Sequence, residues 1–254
     1  MARVISISNH KGGVGKTTSV VNIGAGLARQ DRNVLMIDLD PQANLTICYG
    51  CAESENNIYN AIVKGIDLQP INVREHLDII PASSTDMALA EAEINTETEA
   101  MDKIAVITDK FRQKYDYILI DCPPSLGLLT LNAFAASDEI IIPIQPHFLA
   151  VKGLAKIIEV VNKVKININP KLEISGVFIT MFDKRKVLHK DVLDTVEMYF
   201  QDRVFQAKVR ENIALAEAPA AGKDIYEYDM GSNGAFDYLR VVLEIIDMEK
   251  KYKS

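Results

Sequence analysis

The segment from Arg3 to Gln30 constrains the fold more than any other. An apolar run, RVISIS (3–8), leads straight into NHKGGVGKTT (9–18), and small or apolar residues follow at Val20, Val21, Ile23, Gly24, Leu27 and Ala28. The first run reads as a strand buried on both faces. The stretch from Thr17 to Gln30 reads as a helix. Between them, Gly12, Gly13 and Gly15 open backbone conformations that a side chain would close, so several N–H groups can converge on one point. A strand that turns through such a loop into a helix is the first half of a parallel crossover.

The same alternation continues along the chain. Apolar runs at 33–39, 77–82, 115–121, 139–144 and 174–182 read as strands. Helical stretches are expected over 86–114, 125–137, 150–165, 186–202 and 234–250. Ile- and Val-rich runs separated by helices predict an α/β fold: a doubly wound, mostly parallel sheet with helices on both faces. Residues 1–254 read as a single domain with no internal repeat. Ligands of such sheets sit beyond the carboxyl ends of the strands, so the residues after each strand are the ones to search.

After the first strand, Lys16 and Thr17 complete the pattern G-x-x-x-x-G-K-[ST], with His10 where its first glycine would fall. This is a phosphate-binding loop. Gly12, Gly13, Val14, Gly15, Lys16, Thr17 and Thr18 would cradle nucleotide phosphates at the positive end of the helix. Lys16 would reach the β- and γ-phosphates and the Thr17 hydroxyl would ligate Mg²⁺. After the second strand, DLDPQ (38–42) places Asp38 and Asp40 two residues apart. Beside a magnesium nucleotide, one could hold metal-bound water and the other orient the attacking water. After YILI comes Asp121, at the position that holds Mg²⁺ in the second half of such sites.

Net charge is −7, which does not advertise nucleic-acid binding, but the charge is unevenly placed. Residues 81–102 hold six acids and no Lys or Arg. Residues 184–210 hold seven bases and four acids. No apolar run approaches the ~20 residues a membrane-spanning helix needs, and MARVISIS lacks the layout of a signal peptide. The expectation is a cytoplasmic protein. Cys48 and Cys51 form a C-x-x-C, but no second pair exists to complete a metal site. The four histidines are scattered, with no Ser-His-Asp arrangement.

KGGVGKTT, DLDPQAN, YILIDCPPS, PIQPHFLAVKGL (143–154), TMFD (180–183) and EAPAAGKDIYEYD (217–229) occur in this order along nearly the whole chain. Their set resembles the ParA family of partition ATPases, within the deviant Walker A class of P-loop NTPases that also includes MinD and the nitrogenase iron protein. The resemblance implies a role for Lys11, the extra loop lysine: it crosses a homodimer interface and contacts the phosphates held by the partner. It implies ATP and Mg²⁺ as cofactors, Lys11, Lys16 and Asp40 as catalytic residues, and Thr17, Asp38 and Asp121 around the metal. Asn212 would lie near the adenine. It further implies an ATP-loaded dimer that binds DNA without sequence preference, a ParB-like partner that stimulates hydrolysis and releases it, and a nucleoid-associated location.

The family often carries I-P-R-N where this chain has Val209, Arg210, Glu211 and Asn212. A DNA-contacting arginine is therefore absent or displaced. Lys184, Arg185, Lys186, Arg203, Lys208 and Arg210 are the substitute candidates. The alternative is a MinD-like membrane-surface ATPase, which needs an amphipathic C-terminal helix. YLRVVLEIIDMEKKYKS alternates acids and bases and reads instead as a core-packed last helix. An electron-transfer ATPase would need a cysteine pair for an iron–sulfur cluster, and a metabolic synthetase a substrate motif. Neither is visible.

Overall fold

The structure is a computed structural model that describes residues 1–52, 54–83, 85–94, 101–148 and 150–252. Its strands are β1 (Arg3–Ile7), β2 (Val34–Asp38), β3 (Ile71–Arg74), β4 (Leu77–Ile80), β5 (Tyr117–Asp121), β6 (Glu139–Ile144), β7 (Glu173–Phe182) and β8 (Val204–Arg210). They form one sheet in the order β3-β4-β2-β5-β1-β6-β7-β8. Every pairing is parallel except β3 with β4. β1 lies between β5 and β6, so the chain leaves β1 toward one side of the sheet and later returns to the other. That reversal opens a crevice at the carboxyl ends of the central strands.

β2, β5 and β6 are buried at every residue. Their side chains alternate between two apolar clusters, one on each face. On the first face Leu35, Ile37, Ile118, Ile120, Ile140 and Ile142 pack against α3 (Ile58–Lys64), α4 (Met87–Ile94), α5 (Lys103–Phe111), α6 (Leu128–Ala136), α7 (Ala150–Asn167) and α8 (Val187–Phe200). On the second face Met36, Leu119, Ile141 and Phe178 meet α1 (Lys16–Ala28), α2 (Asn44–Cys48), α9 (Ile213–Glu217), α10 (Ile225–Tyr228) and α11 (Asn233–Tyr252). Each fully buried Ile or Leu contributes roughly 2 kcal/mol of transfer free energy. Gly26 lets α1 approach closely here: a Cβ there would lie 2.7 Å from both the Tyr226 hydroxyl and a Val242 methyl.

α11 also closes the β8 edge. Glu244 accepts from the backbone N–H groups of Gln206 (2.8 Å) and Ala207 (2.6 Å), and Asp237 from that of Arg210 (2.9 Å). Charged groups of a covering helix thus occupy an edge that would otherwise template another strand.

Two expectations need correction. The helix expected over 86–114 is two helices, α4 and α5, with a turn at Met101 and Asp102, while 95–100 lie outside the described residues. Strands β3 and β8 were not anticipated. In β8 the apolar Phe205, Ala207 and Val209 face inward and alternate with Gln206, Lys208 and Arg210. The period is that of a strand, but its basic residues read as part of a charge run.

Candidate active site

The loop between β1 and α1 occupies the crevice. Gly13 (φ 73°) and Gly15 (φ 85°) take left-handed conformations that turn the backbone back on itself. Asn9 ties the loop to the sheet: its amide donates to the Pro143 carbonyl (2.7 Å), and its oxygen accepts from the Lys11 backbone N–H (3.0 Å). Thr180 at the end of β7 donates to the Val14 carbonyl (2.9 Å). β6 and β7, on one side of β1, thus both hold the loop.

Lys16 opens α1, and its side chain is only 5 % exposed. Its ammonium donates to the Lys11 carbonyl at 3.4 Å. Burial pushes its pKa down, and the charges of Asp121 and Asp40 partly offset that shift. A desolvated ammonium short of partners is well placed to meet an incoming anion.

Asp38 and Asp121 end adjacent strands and stand in register, both fully buried. The sequence treats them alike, but the structure does not. Asp38 accepts from the Thr46 backbone N–H (2.9 Å), the Thr46 hydroxyl (2.7 Å) and the Asp40 N–H (3.1 Å). Burial pushes its carboxyl up to about 6 despite these bonds. Thr46 in turn accepts from the Ala82 N–H (2.8 Å), so Asp38 organises the turn after β2 and its junction with the segment after β4. Asp121 has no hydrogen-bond partner on either oxygen. Burial pushes its pKa well up, the Asp38 charge adds to the shift, and the nearby Thr17 side chain offsets part of it without reaching hydrogen-bonding geometry. An unpartnered buried carboxylate beside a hydroxyl matches the oxygen donors that a hard divalent cation takes. Asp40 is 6 % exposed, and one of its oxygens accepts from the Gln42 N–H (3.0 Å).

Lys11 differs from Lys16. It is half-buried on the rim of the loop, where its ammonium donates to Gln145 Oε1 (3.1 Å), just past β6. Gly12 and Gly13 beside it are exposed. Thr17 and Thr18 line a cleft of about 350 Å³ with Asn22, Asn44, Pro219 and Lys223.

Asn212 is half-buried at the end of β8, and its oxygen caps α9 by accepting from the Ala214 N–H (2.9 Å). Asn212 thus has a structural use that the sequence reading did not foresee, and its amide nitrogen stays available.

Lys184, Arg185, Lys208 and Arg210 line one groove of about 660 Å³ beyond the ends of β7 and β8, with exposed Lys186 beside it at the start of α8. Arg240 of α11 joins them, a cation that the sequence reading missed. Two of these six cations form ion pairs within the chain. Arg185 chelates Asp183 (2.8 Å), holding that carboxyl far below its usual range, and Arg210 grips buried Asp237 (2.7 and 2.9 Å). Arg203 does not belong to this set. It precedes β8, at the other end of that edge strand from the groove, among Glu173, Asp202, Glu244 and Asp247.

The Cys48 thiol is buried and pushed up to about 11, and burial also raises that of half-buried Cys51. Such thiols are poor nucleophiles. Among the described residues no three His, Cys, Asp or Glu side chains cluster as a metal site, and no helix is long and apolar enough to cross a membrane.

A family described as an AAA domain matches residues 2–174. The sporulation initiation inhibitor protein Soj of Bacillus subtilis is 42 % identical over 250 residues, spanning 96 % of this chain and 98 % of that protein. The chromosome partitioning protein ParA of Myxococcus xanthus is 38 % identical over 252 residues, 97 % of this chain and 88 % of that one. A cobyrinic acid a,c-diamide synthase from Mycobacterium smegmatis, solved with an ATP analogue and magnesium, superposes with a TM-score of 0.85. It is 29 % identical and covers 98 % of this chain and 96 % of that one.

Proposed function

This chain belongs to the ParA/Soj family of P-loop ATPases, and on that premise we propose that it is a partition ATPase using ATP and Mg²⁺. The unsatisfied Asp121 carboxylate beside the glycine loop carries the reading, because a buried charge without partners makes sense only where a ligand completes it.

In this reading the loop N–H groups of Gly12 to Thr18 hold the phosphates and Lys16 neutralises the charge that develops toward the γ-phosphate. Thr17 and Asp121 would hold Mg²⁺, which would supply charge neutralisation at the phosphates. Asp38 acts one step back by fixing the turn that presents Asp40, and Asp40 orients the attacking water. Asn212 faces the base with its free amide nitrogen. Lys11 reaches the phosphates of a second ATP-loaded copy, so the nucleotide joins two subunits and hydrolysis releases them. The released and assembled states would differ in affinity for DNA, with the Lys184–Lys208 groove as the contact surface. A ParB-like centromere-binding protein would trigger hydrolysis. The protein would then work in the cytoplasm on the nucleoid, moving a plasmid or chromosome.

The membrane-surface alternative is disfavoured by α11. Tyr238, Val241, Val242 and Ile245 of this helix are buried in the second cluster, Arg3 donates to the Ile245 carbonyl (2.9 Å), and Arg32 pairs with Glu249 (3.4 Å). Most of its apolar side is thus packed in the core, with Phe236 and Leu243 left exposed.

The test is DNA binding by wild type and Lys11→Ala with ATP, ADP and no nucleotide, across a salt series. Binding only with ATP, weakening steeply with salt and lost in Lys11→Ala, supports the reading. Equal binding in all three nucleotide states rejects the switch.

A further inference from the structure

We propose that Gln145 is a parking acceptor for Lys11, a positioning residue that keeps this ammonium within its own subunit until the phosphates of a second ATP-loaded copy compete for it. The inference rests on the reading that Lys11 acts across a dimer.

Three contacts build the arrangement. Asn9, 6 % exposed, ties the loop to Pro143 at the end of β6, two residues before Gln145. The same Asn9 accepts from the Lys11 N–H, which sets the direction in which the side chain leaves the backbone. The ammonium then meets Gln145 Oε1 at 3.1 Å. Among the described residues no carboxylate pairs with Lys11. A second cation stands close by: the Lys156 ammonium lies 3.5 Å from Nε2 of His10, the residue before Lys11.

The choice of acceptor matters. A carboxylate at this position would form a charge-assisted bond about twice as strong as a neutral one and would compete with phosphate. An apolar residue would leave the ammonium without direction. A neutral amide orients the side chain and yields it to a stronger anion. Gln145 thereby sets how readily ATP-loaded copies associate without touching the nucleotide of its own subunit.

The experiment measures the dimer dissociation constant by sedimentation equilibrium, with a non-hydrolysable ATP analogue and Mg²⁺, for wild type, Gln145→Glu, Gln145→Ala and Lys11→Ala. Gln145→Glu is expected to raise the constant about tenfold, through a charged competitor for Lys11. That excess should shrink as salt rises from about 0.05 to about 0.5 M. Gln145→Ala is expected to lower it about threefold, because the competing bond is gone. A merely structural Gln145 would shift both variants in one direction and lower their melting temperatures together. That result, or no shift in either variant while Lys11→Ala fails to dimerise, overturns the parking role alone. Dimerisation of Lys11→Ala as in wild type overturns the trans role of Lys11 and this inference with it.

Discussion

The floor and the rim of the phosphate loop solve opposite problems. On the floor, Lys16 and Asp121 are buried and short of partners, so both carry desolvation that only a ligand relieves. On the rim, Lys11 is half-exposed and rests on a neutral amide of its own subunit. In the proposed reading the floor receives an anion and a cation together. In the proposed reading the rim serves exchange, since one neutral acceptor holds its ammonium. A similar division separates the two carboxylates of the floor. Asp38 accepts from three donors of the chain itself, whereas Asp121 accepts from none, and in the proposed reading it is Asp121 that meets the metal. Charge alone therefore does not identify a site; what matters is whether the chain itself satisfies the charge.

Substitutions on the floor should give the largest effects. Lys16→Ala is expected to weaken ATP binding about a hundredfold or more, a loss of about 3 kcal/mol, readable by titration with a fluorescent ATP analogue. Affinity within a factor of three of wild type would mean that the loop backbone alone holds the phosphates. Asp121→Asn and Asp38→Asn then split the two carboxylates. The first should cut Mg²⁺-dependent hydrolysis by about two orders of magnitude while raising the melting temperature of the ligand-free protein, because an unpaired buried charge is removed. The second should lower stability by about 2 kcal/mol, or about 4–8 °C in melting temperature, because it replaces a carboxylate accepting three bonds with an amide that accepts through one oxygen. Equal melting shifts in the two variants would erase the distinction.

A smaller effect concerns pH. Both carboxyls have folded-state pKa values above the unfolded value, Asp38 at about 6. The folded protein therefore binds more protons than the unfolded chain between roughly pH 4 and 6. This contribution to stability is complete below the unfolded pKa and is lost as pH rises through the folded one. Ligand-free protein should melt higher at pH 5 than at pH 7. The gap should narrow in Asp121→Asn, and also with Mg²⁺ and an ATP analogue bound to wild type. A gap of the same size in all three cases would remove Asp121 as its source.

The sheet, the loop and the two strand-end aspartates were legible because their signals are local: an apolar run, then glycines or a carboxylate. The division of labour between Asp38 and Asp121 was not, because it depends on Thr46, which α2 folds back onto the end of β2. β8 was hidden by its own lysine and arginine, although Phe205, Ala207 and Val209 carry the period of a strand. The basic run that this strand interrupts could not show that Arg203 and Arg210 lie at opposite ends of β8. Arg240 reaches the groove from α11, thirty residues beyond Arg210 in sequence, and only packing brings them together. Gln145 stood in plain view within PIQP, but its significance comes from the lysine it faces across 134 residues.

In the proposed reading one lysine of the loop serves its own nucleotide and the other serves a neighbour's. Mixing two inactive variants tests it directly. Lys11→Ala retains Lys16 for its own ATP, and Lys16→Ala retains a Lys11 to lend. ATP hydrolysis by the mixture should exceed the sum of the separate variants several-fold, peaking near equal proportions. Activity equal to that sum at every proportion would place Lys11 in its own subunit's site and contradict the account.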